Sequence, residues 1–289
     1  MSVLALGTAQ FGLQYGIANQ QGQVPLAEVA SIVARATAVG VDTVDTAIAY
    51  GNSERCLGHV GVSDFRVITK LPAVPAQCRN VTSWVCAEIE ESLARLQVPC
   101  LGGVLLHRPQ QLLENCGPEL FNALQSLREQ GRISKVGVSI YAPSELDQLC
   151  ERYDLDIVQA PFNLVDRALH TSGWLDRLSS NGVEVHARSA FLQGLLLMPR
   201  EQIPANFSAW KSIWDRWHDW LKHNDVSALQ ACIAFSFSFP HIHRVVVGVD
   251  SLMQWEQIIT ASTQLGPASF PNIACDDPNL VNPARWKNI

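Results

Sequence analysis

Short apolar runs alternate with longer stretches of helical period from one end of this chain to the other. The runs fall at 3–7, 41–45, 66–70, 103–107, 135–139, 157–160, 184–188 and 244–248 and read as buried strands. Between them, 26–39, 82–96, 118–130, 143–152, 172–180 and 227–239 read as helices. Strand and helix in strict alternation predict a single-domain α/β protein, a (β/α)8 TIM barrel spanning residues 1–289. Boundary chemistry agrees: Thr82 can cap one helix and Ser144 with Asp147 fits a capping box, while Gly40, Gly131 and Gly182 each close a helix before the next strand. The stretch 195–224 is too long for a simple connection. Within it Trp210, Trp214, Trp217 and Trp220 share one helical face, which predicts an extra helix packed on the barrel, with a sugar-stacking or partner surface as the alternative.

A chain of 289 residues with 47% hydrophobic content can bury one large core. The net charge of -6 and the scattered basic residues exclude the electrostatic footprint of a nucleic-acid or anionic-membrane binder. No segment reaches the roughly 18 uncharged apolar residues of a membrane span, and the first residues do not read as a leader, so a cytoplasmic protein, monomer or small homo-oligomer, is expected. The eight cysteines form no C-x-x-C pair and no metal-ligand spacing, so reduced thiols and no metal are expected.

Three successive strands end in titratable side chains: Asp45 with Tyr50 just beyond it, Lys70, and His107. In a parallel barrel that places them together at the carboxyl ends of the strands, where such folds carry their active sites. The segments Val41-Asp-Thr-Val-Asp-Thr-Ala-Ile-Ala-Tyr-Gly-Asn-Ser-Glu54, Arg66-Val-Ile-Thr-Lys70 and Gly103-Val-Leu-Leu-His107 resemble the aldo-keto reductases. The opening Leu4-Ala-Leu-Gly-Thr-Ala-Gln-Phe-Gly12, Val136-Gly-Val-Ser139, Val158-Gln-Ala-Pro-Phe-Asn163 and Arg188-Ser-Ala-Phe-Leu-Gln-Gly194 follow in family order, and the long first loop is similar to that of a bacterial subgroup often associated with sugars.

The resemblance implies a catalytic tetrad of Asp45, Tyr50, Lys70 and His107 and NAD(P)H-dependent reduction of an aldehyde, ketone or aldose carbonyl. The chemistry suits the residues: a phenol with an ordinary pKa of about 10 needs a nearby cation to act as an acid near neutrality. Lys70 would supply that cation, Asp45 would keep it charged, and His107 would orient the carbonyl. None of these groups donates hydride, and no G-x-G-x-x-G follows a strand, so a nicotinamide cofactor would lie over the barrel mouth.

By resemblance the cofactor would be held by Gly7, Thr8, Ser139, Gln159, Arg188, Ser189, Phe191, Gln193, Gly194, Gly248, Asp250 and Ser251. Arg188 stands where many members carry a stacking Tyr. Asp250 stands where a base usually grips the adenosine 2′-phosphate, and a carboxylate there suits the ribose diol of NAD(H). The family's habit tips the expectation to NADP(H), with NAD(H) open and Arg244 a candidate to compensate for Asp250. Phe11 and Tyr15 are expected to offer apolar faces to a small carbonyl or sugar substrate. Two rival readings are a weakly catalytic cofactor sensor with the same fold and a barrel isomerase or lyase that uses Lys70 as a Schiff base.

Overall fold

The computed structural model describes residues 3–17, 19, 22–264 and 266–288. Eight strands close into a parallel barrel in sequence order: β1 (Leu4–Gly7), β2 (Thr43–Asp45), β3 (Arg66–Leu71), β4 (Gly103–Leu106), β5 (Val136–Ser139), β6 (Ile157–Pro161), β7 (Glu184–Arg188) and β8 (Arg244–Gly248). The eight expected strands are the eight found, with β1, β2, β4 and β5 trimmed and β3 and β6 each one residue longer. His107 lies one residue past β4, yet its amide still donates to the Leu71 carbonyl at 3.0 Å, so the ladder continues to that point.

Because side chains alternate along a strand, register sorts the lumen into tiers. Gly7 pairs with Asp45 and Gly248, and Ser139 with Gln159, so these residues ring the carboxyl-terminal mouth. One tier lower, Ile68, Leu105 and Ile157 form a dry cluster separate from the main core. At the opposite end Glu184 accepts two hydrogen bonds from Arg66 at 2.6 and 2.7 Å, one from Lys135 at 2.6 Å and pairs with His186 at 2.7 Å. Burial opposes the Glu184 charge, but the His186, Arg66 and Lys135 bonds hold its carboxyl well below the usual range. Arg244 belongs to this same end, bonded to Asp42 at 3.0 Å and to Thr43 at 3.0 Å.

Outside the barrel, Leu26–Ala38, Val81–Leu96 and Gly117–Glu129 bury their Val, Ile and Leu stripes against it. Gly40, Gly131 and Gly182 adopt φ of 75°, 72° and 71°, the left-handed turn expected of them. Two cap expectations shift. Asn80, not Thr82, accepts from the Ser83 amide, and Glu145, not Asp147, takes the Tyr141 and Ala142 amides. Asp147 instead accepts the Trp174 indole N–H. The helices Ser53–Val60 and Leu252–Thr263 add to the expected six. The first is amphipathic but short and averages polar, so it escapes a search for long apolar-striped segments, and it seats only because Gly58 has no side chain: a Cβ there would come within 2.1 Å of the Arg95 carbonyl.

The tryptophans fall in a helix, Lys211–Asn224, that follows a series of short turns. Trp214 and Trp217 are buried, their indoles donating to Phe207 and Leu196 carbonyls at 3.0 Å each, and Trp220 stacks on Trp217. Trp210 ends just before the helix, where its indole N–H donates to Asp277. The aromatic face is packing, as expected, and truncating such a side chain typically costs about 3–5 kcal/mol.

Candidate active site

The turn after β2 sets the first functional side chain. The Tyr50 amide donates to the Ala47 carbonyl, the Ser53 amide donates to the Tyr50 carbonyl, and Gly51 takes φ of 55°. Gly12 presses against this turn so closely that a Cβ would meet the Tyr50 carbonyl at 1.7 Å, which demands glycine. Thr8 braces the same strand ends: its hydroxyl donates to the Asp45 carbonyl and accepts from Ser53.

Lys70 Nζ donates to Asp45 Oδ1 at 2.6 Å and to the Thr46 carbonyl at 2.9 Å, and both side chains of the pair are buried. The other Asp45 oxygen accepts from Gln159 Nε2 at 2.7 Å, and Gln159 Oε1 accepts from Ser139 at 3.3 Å. A five-member polar chain therefore runs Thr46, Lys70, Asp45, Gln159, Ser139. Lys70 Nζ also sits 5.1 Å from the centre of the Tyr50 ring, which stands edge-on to His107 with centroids 6.0 Å apart.

Burial opposes the Lys70 charge, but Asp45, Tyr50 and the hydrogen bond to Asp45 outweigh it and leave its pKa raised. A lysine so held is a cation rather than a nucleophile, which removes the Schiff-base reading. Burial, with the nearby positive charges of Lys70 and Arg188, lowers His107 to about 4, so its imidazole is neutral near pH 7. Tyr15 keeps part of its side chain exposed at the mouth, yet desolvation of its phenol against the wall and the neighbouring Tyr50 raise it to about 12.

These groups open into a cavity of about 310 Å³. Its wall includes Gly7, Thr8, Asp45, Tyr50, Lys70, His107, Ser139, Gln159, Arg188, Ser189, Phe191, Gln193, Gly248 and Tyr15, all singled out by sequence. Ala9, Gln10, Tyr141, Ala190, Val246 and Val247 complete it; Ala9, Gln10 and Ala190 lie within the segments read from sequence, whereas Tyr141, Val246 and Val247 were not singled out. Val246 could have been: it lies two residues before Gly248 on an inward-facing strand. Phe11 is a correction. It is fully buried in the core beneath the loop, because the short helix Ala9–Gly12 turns its ring inward and leaves Tyr15 to reach the mouth.

Gly194, Asp250 and Ser251 lie outside this wall. Gly194 instead ends a strained passage in which Ser189, Leu192 and Gln193 all adopt left-handed φ of 61°, 48° and 53°. Non-glycine residues held this way cost about 1–3 kcal/mol each and gather at functional segments. Ser251 caps Leu252–Thr263 by accepting from the Gln254 amide, the Leu252 amide donates to Glu28 at 2.6 Å, and Asp250 accepts from Asn19 at 3.0 Å. Two carboxylates thus occupy the start of this helix. Arg244 is paired with Asp42 at the far end of the barrel and cannot compensate for Asp250.

The wall suits a flat amide-bearing ring. After their mutual bonds, Gln159 keeps a second N–H and a second carbonyl lone pair, and Ser139 keeps its acceptor capacity, a matched set for a carboxamide. Gly248 leaves room beside Gln10 where a Cβ would come within 2.5 Å of its side-chain oxygen. One face of the Arg188 guanidinium is already covered by Tyr141, 4.7 Å away, so only its other face is open to a ring.

Comparison with known proteins gives a consistent pattern. The sequence profile of the Aldo/keto reductase family matches residues 3–274. An aldo-keto reductase from Mycobacterium sp. (strain KMS) is 35% identical over 134 residues, 45% of this chain and 47% of that protein, so the match spans about half the length of that relative. L-galactose dehydrogenase from Arabidopsis thaliana is 26% identical across 92% of this chain and 85% of its own length. An aldo-keto reductase from Bacillus halodurans, solved in its holo form, superposes with a TM-score of 0.73 at 17% identity, over 92% of this chain and 88% of that one, and shares the fold.

Proposed function

The chain belongs to the aldo/keto reductase family, and from that premise we propose that it reduces the carbonyl of an aldehyde, ketone or aldose to the alcohol with a nicotinamide cofactor. The observation that carries this reading is the buried Asp45–Lys70 pair set beneath the Tyr50 ring at the wall of a cavity that also holds a neutral His107. When bound, the nicotinamide supplies hydride to the carbonyl carbon. Ser139 and Gln159 would hold its carboxamide, with Arg188, Ser189, Phe191 and Gln193 beside the ring and Gly7, Thr8 and Gly248 as the close-packed floor.

Negative charge develops on the carbonyl oxygen as its carbon is reduced, and catalysis requires donors aimed at that charge. Tyr50 gives its hydroxyl proton to this oxygen. The phenolate left behind is stabilised by the Lys70 cation, and Asp45 keeps Lys70 charged although both are buried away from water. Neutral His107 donates an N–H to the same oxygen and fixes the carbonyl against Tyr50; an imidazolium would add a second positive charge beside Lys70 and Arg188.

For the cofactor, Glu28 and Asp250 at the start of Leu252–Thr263 support a ribose diol over a 2′-phosphate, because the Leu252 and Gln254 amides of that helix end are already taken and it carries negative charge. We therefore favour NAD(H) over the family's habit of NADP(H). The substrate is a small carbonyl compound or sugar, and Tyr15 supplies an aromatic face to it. The test follows loss of reduced nicotinamide with NADH and with NADPH against a panel of aldehydes and aldoses. Turnover supports the reading, whereas tight cofactor binding without turnover on any carbonyl would replace it with the sensor reading.

A further inference from the structure

A second chamber of about 580 Å³ adjoins the catalytic cavity and shares Tyr15, Tyr141, Arg188 and Gln193 with it. Its outer wall is Trp286 and the loop after β1, where Tyr15 and Ile17 remain exposed. Arg188 is therefore the charged group at the doorway between two compartments. Its guanidinium donates to the Ile140 carbonyl at 2.9 Å and to Ser189 Oγ at 3.3 Å and lies over the Tyr141 ring. Both bonded partners are neutral, and among the described residues no carboxylate comes within ion-pair distance of Arg188. Asp166 feels its charge only at longer range.

Elsewhere among the described residues, Lys70 has Asp45 as its anionic partner, Arg95 has Glu54, Arg66 and Lys135 share Glu184, and Arg244 has Asp42; half-buried Arg167 also lacks an anion, but it spends its N–H groups on the Leu164 and Pro271 carbonyls away from the cavity wall. A guanidinium fixed in orientation but left without a counter-ion, at the wall of a cavity, is a prepared anion seat, since Arg presents a rigid fork of donors to carboxylate or phosphate. Tyr15, bridged to Gln193 at 3.3 Å, and Tyr141 flank it with faces for the body of a ligand.

We propose that Arg188 anchors an anionic substituent of the substrate, so that the carbonyl compound reduced here carries a carboxylate or phosphate that reaches the doorway between the two chambers. This deepens the reductase reading and rests on it for the carbonyl end of the molecule. Arg188 then has two neighbours, the cofactor ring over the face that Tyr141 leaves open and the substrate's anion at the in-plane N–H groups not given to Ile140 and Ser189, and acts as a specificity-determining residue rather than only a platform.

The test is calorimetric titration of the protein with glycerol 3-phosphate, glycerate and glycerol, each with and without saturating oxidised cofactor, in the natural protein, Arg188→Gln and Arg188→Lys. At least one anion is expected to bind about tenfold or more tightly than glycerol, a gap typical of charge-assisted pairs. That preference should persist with cofactor bound, shrink to about twofold or less in Arg188→Gln, and be retained in part by Arg188→Lys. Preference for one anion over the other tells phosphate from carboxylate. Equal binding of anion and glycerol, an anion preference that survives Arg188→Gln, or one erased by the cofactor would each overturn the proposal. Anion preference without any oxidation of reduced cofactor would instead sink the reductase reading and leave the anion seat standing.

Discussion

Asp45 holds Lys70 at 2.6 Å with neither side chain more than 6% exposed. Such a pair is costly to assemble and more costly to break, because removing one partner strands the other charge away from water. Asp45→Asn is expected to lower stability by about 3–5 kcal/mol in urea denaturation. Lys70→Met in the same background should restore part of the loss, giving a coupling energy in the double-mutant cycle. Additive losses would mean the two groups do not depend on each other.

Tyr50→Phe removes only the hydroxyl, and its ring retains the edge-on contact with His107. Turnover should fall by about 10²–10⁴-fold, the usual share of a positioned acid, while cofactor affinity stays within about twofold. A parallel drop in both would assign Tyr50 to the architecture of the mouth instead.

His107 is held at about 4 and Asp166 is raised by burial to about 6, which gives opposite slopes of stability with pH. Unfolded His binds a proton that folded His107 refuses between about pH 4 and 6.5, so its contribution is lost as pH falls through that window. Folded Asp166 keeps a proton that unfolded Asp releases between about pH 3.8 and 6, so its contribution is lost as pH rises. Asp166→Asn should therefore raise stability above pH 6, by on the order of 1–3 kcal/mol, and leave it little changed near pH 4. Denaturation curves at pH 4 and pH 7.5 decide this, and equal effects at both would refute the assignment. The log of kcat/KM should also lack an inflection near 6.5 from His107.

The acidic start of Leu252–Thr263 makes a separate prediction about cofactor choice. Asp250→Arg should shift the ratio of kcat/KM for NADPH over NADH upward by about tenfold or more, with Glu28→Gln adding to it. An unchanged ratio would place the adenosine end of the cofactor elsewhere.

Much of this was legible in the chain. The strands, the helix-closing glycines and the four reactive side chains each announce themselves locally, through period, turn chemistry and position at a strand end. Phe11 was misread because it falls in a four-residue helix, too short for its buried face to be read from the pattern. Tyr141 was missed because it sits on a connection, where membership of the wall depends on how neighbouring loops lie. Arg244 looked available to a cofactor until register put it at the closed end with Asp42. The Gln159–Asp45 bond joins residues 114 apart in sequence and exists only once the barrel closes.

The dry tier of Ile68, Leu105 and Ile157 works as an insulator between two ionic systems at opposite ends of the barrel. Above it lie Asp45, Lys70 and His107; below it, Glu184 with Arg66, Lys135 and His186, and Arg244 with Asp42. The barrel is thereby divided crosswise, most plainly along β3 with Arg66 at one end and Lys70 at the other, into an end that can be rewritten for new chemistry and an end that keeps the ring shut. Changes on opposite sides of the divide should combine without interference, so the mouth of this barrel can be re-engineered while its base serves as an untouched keel.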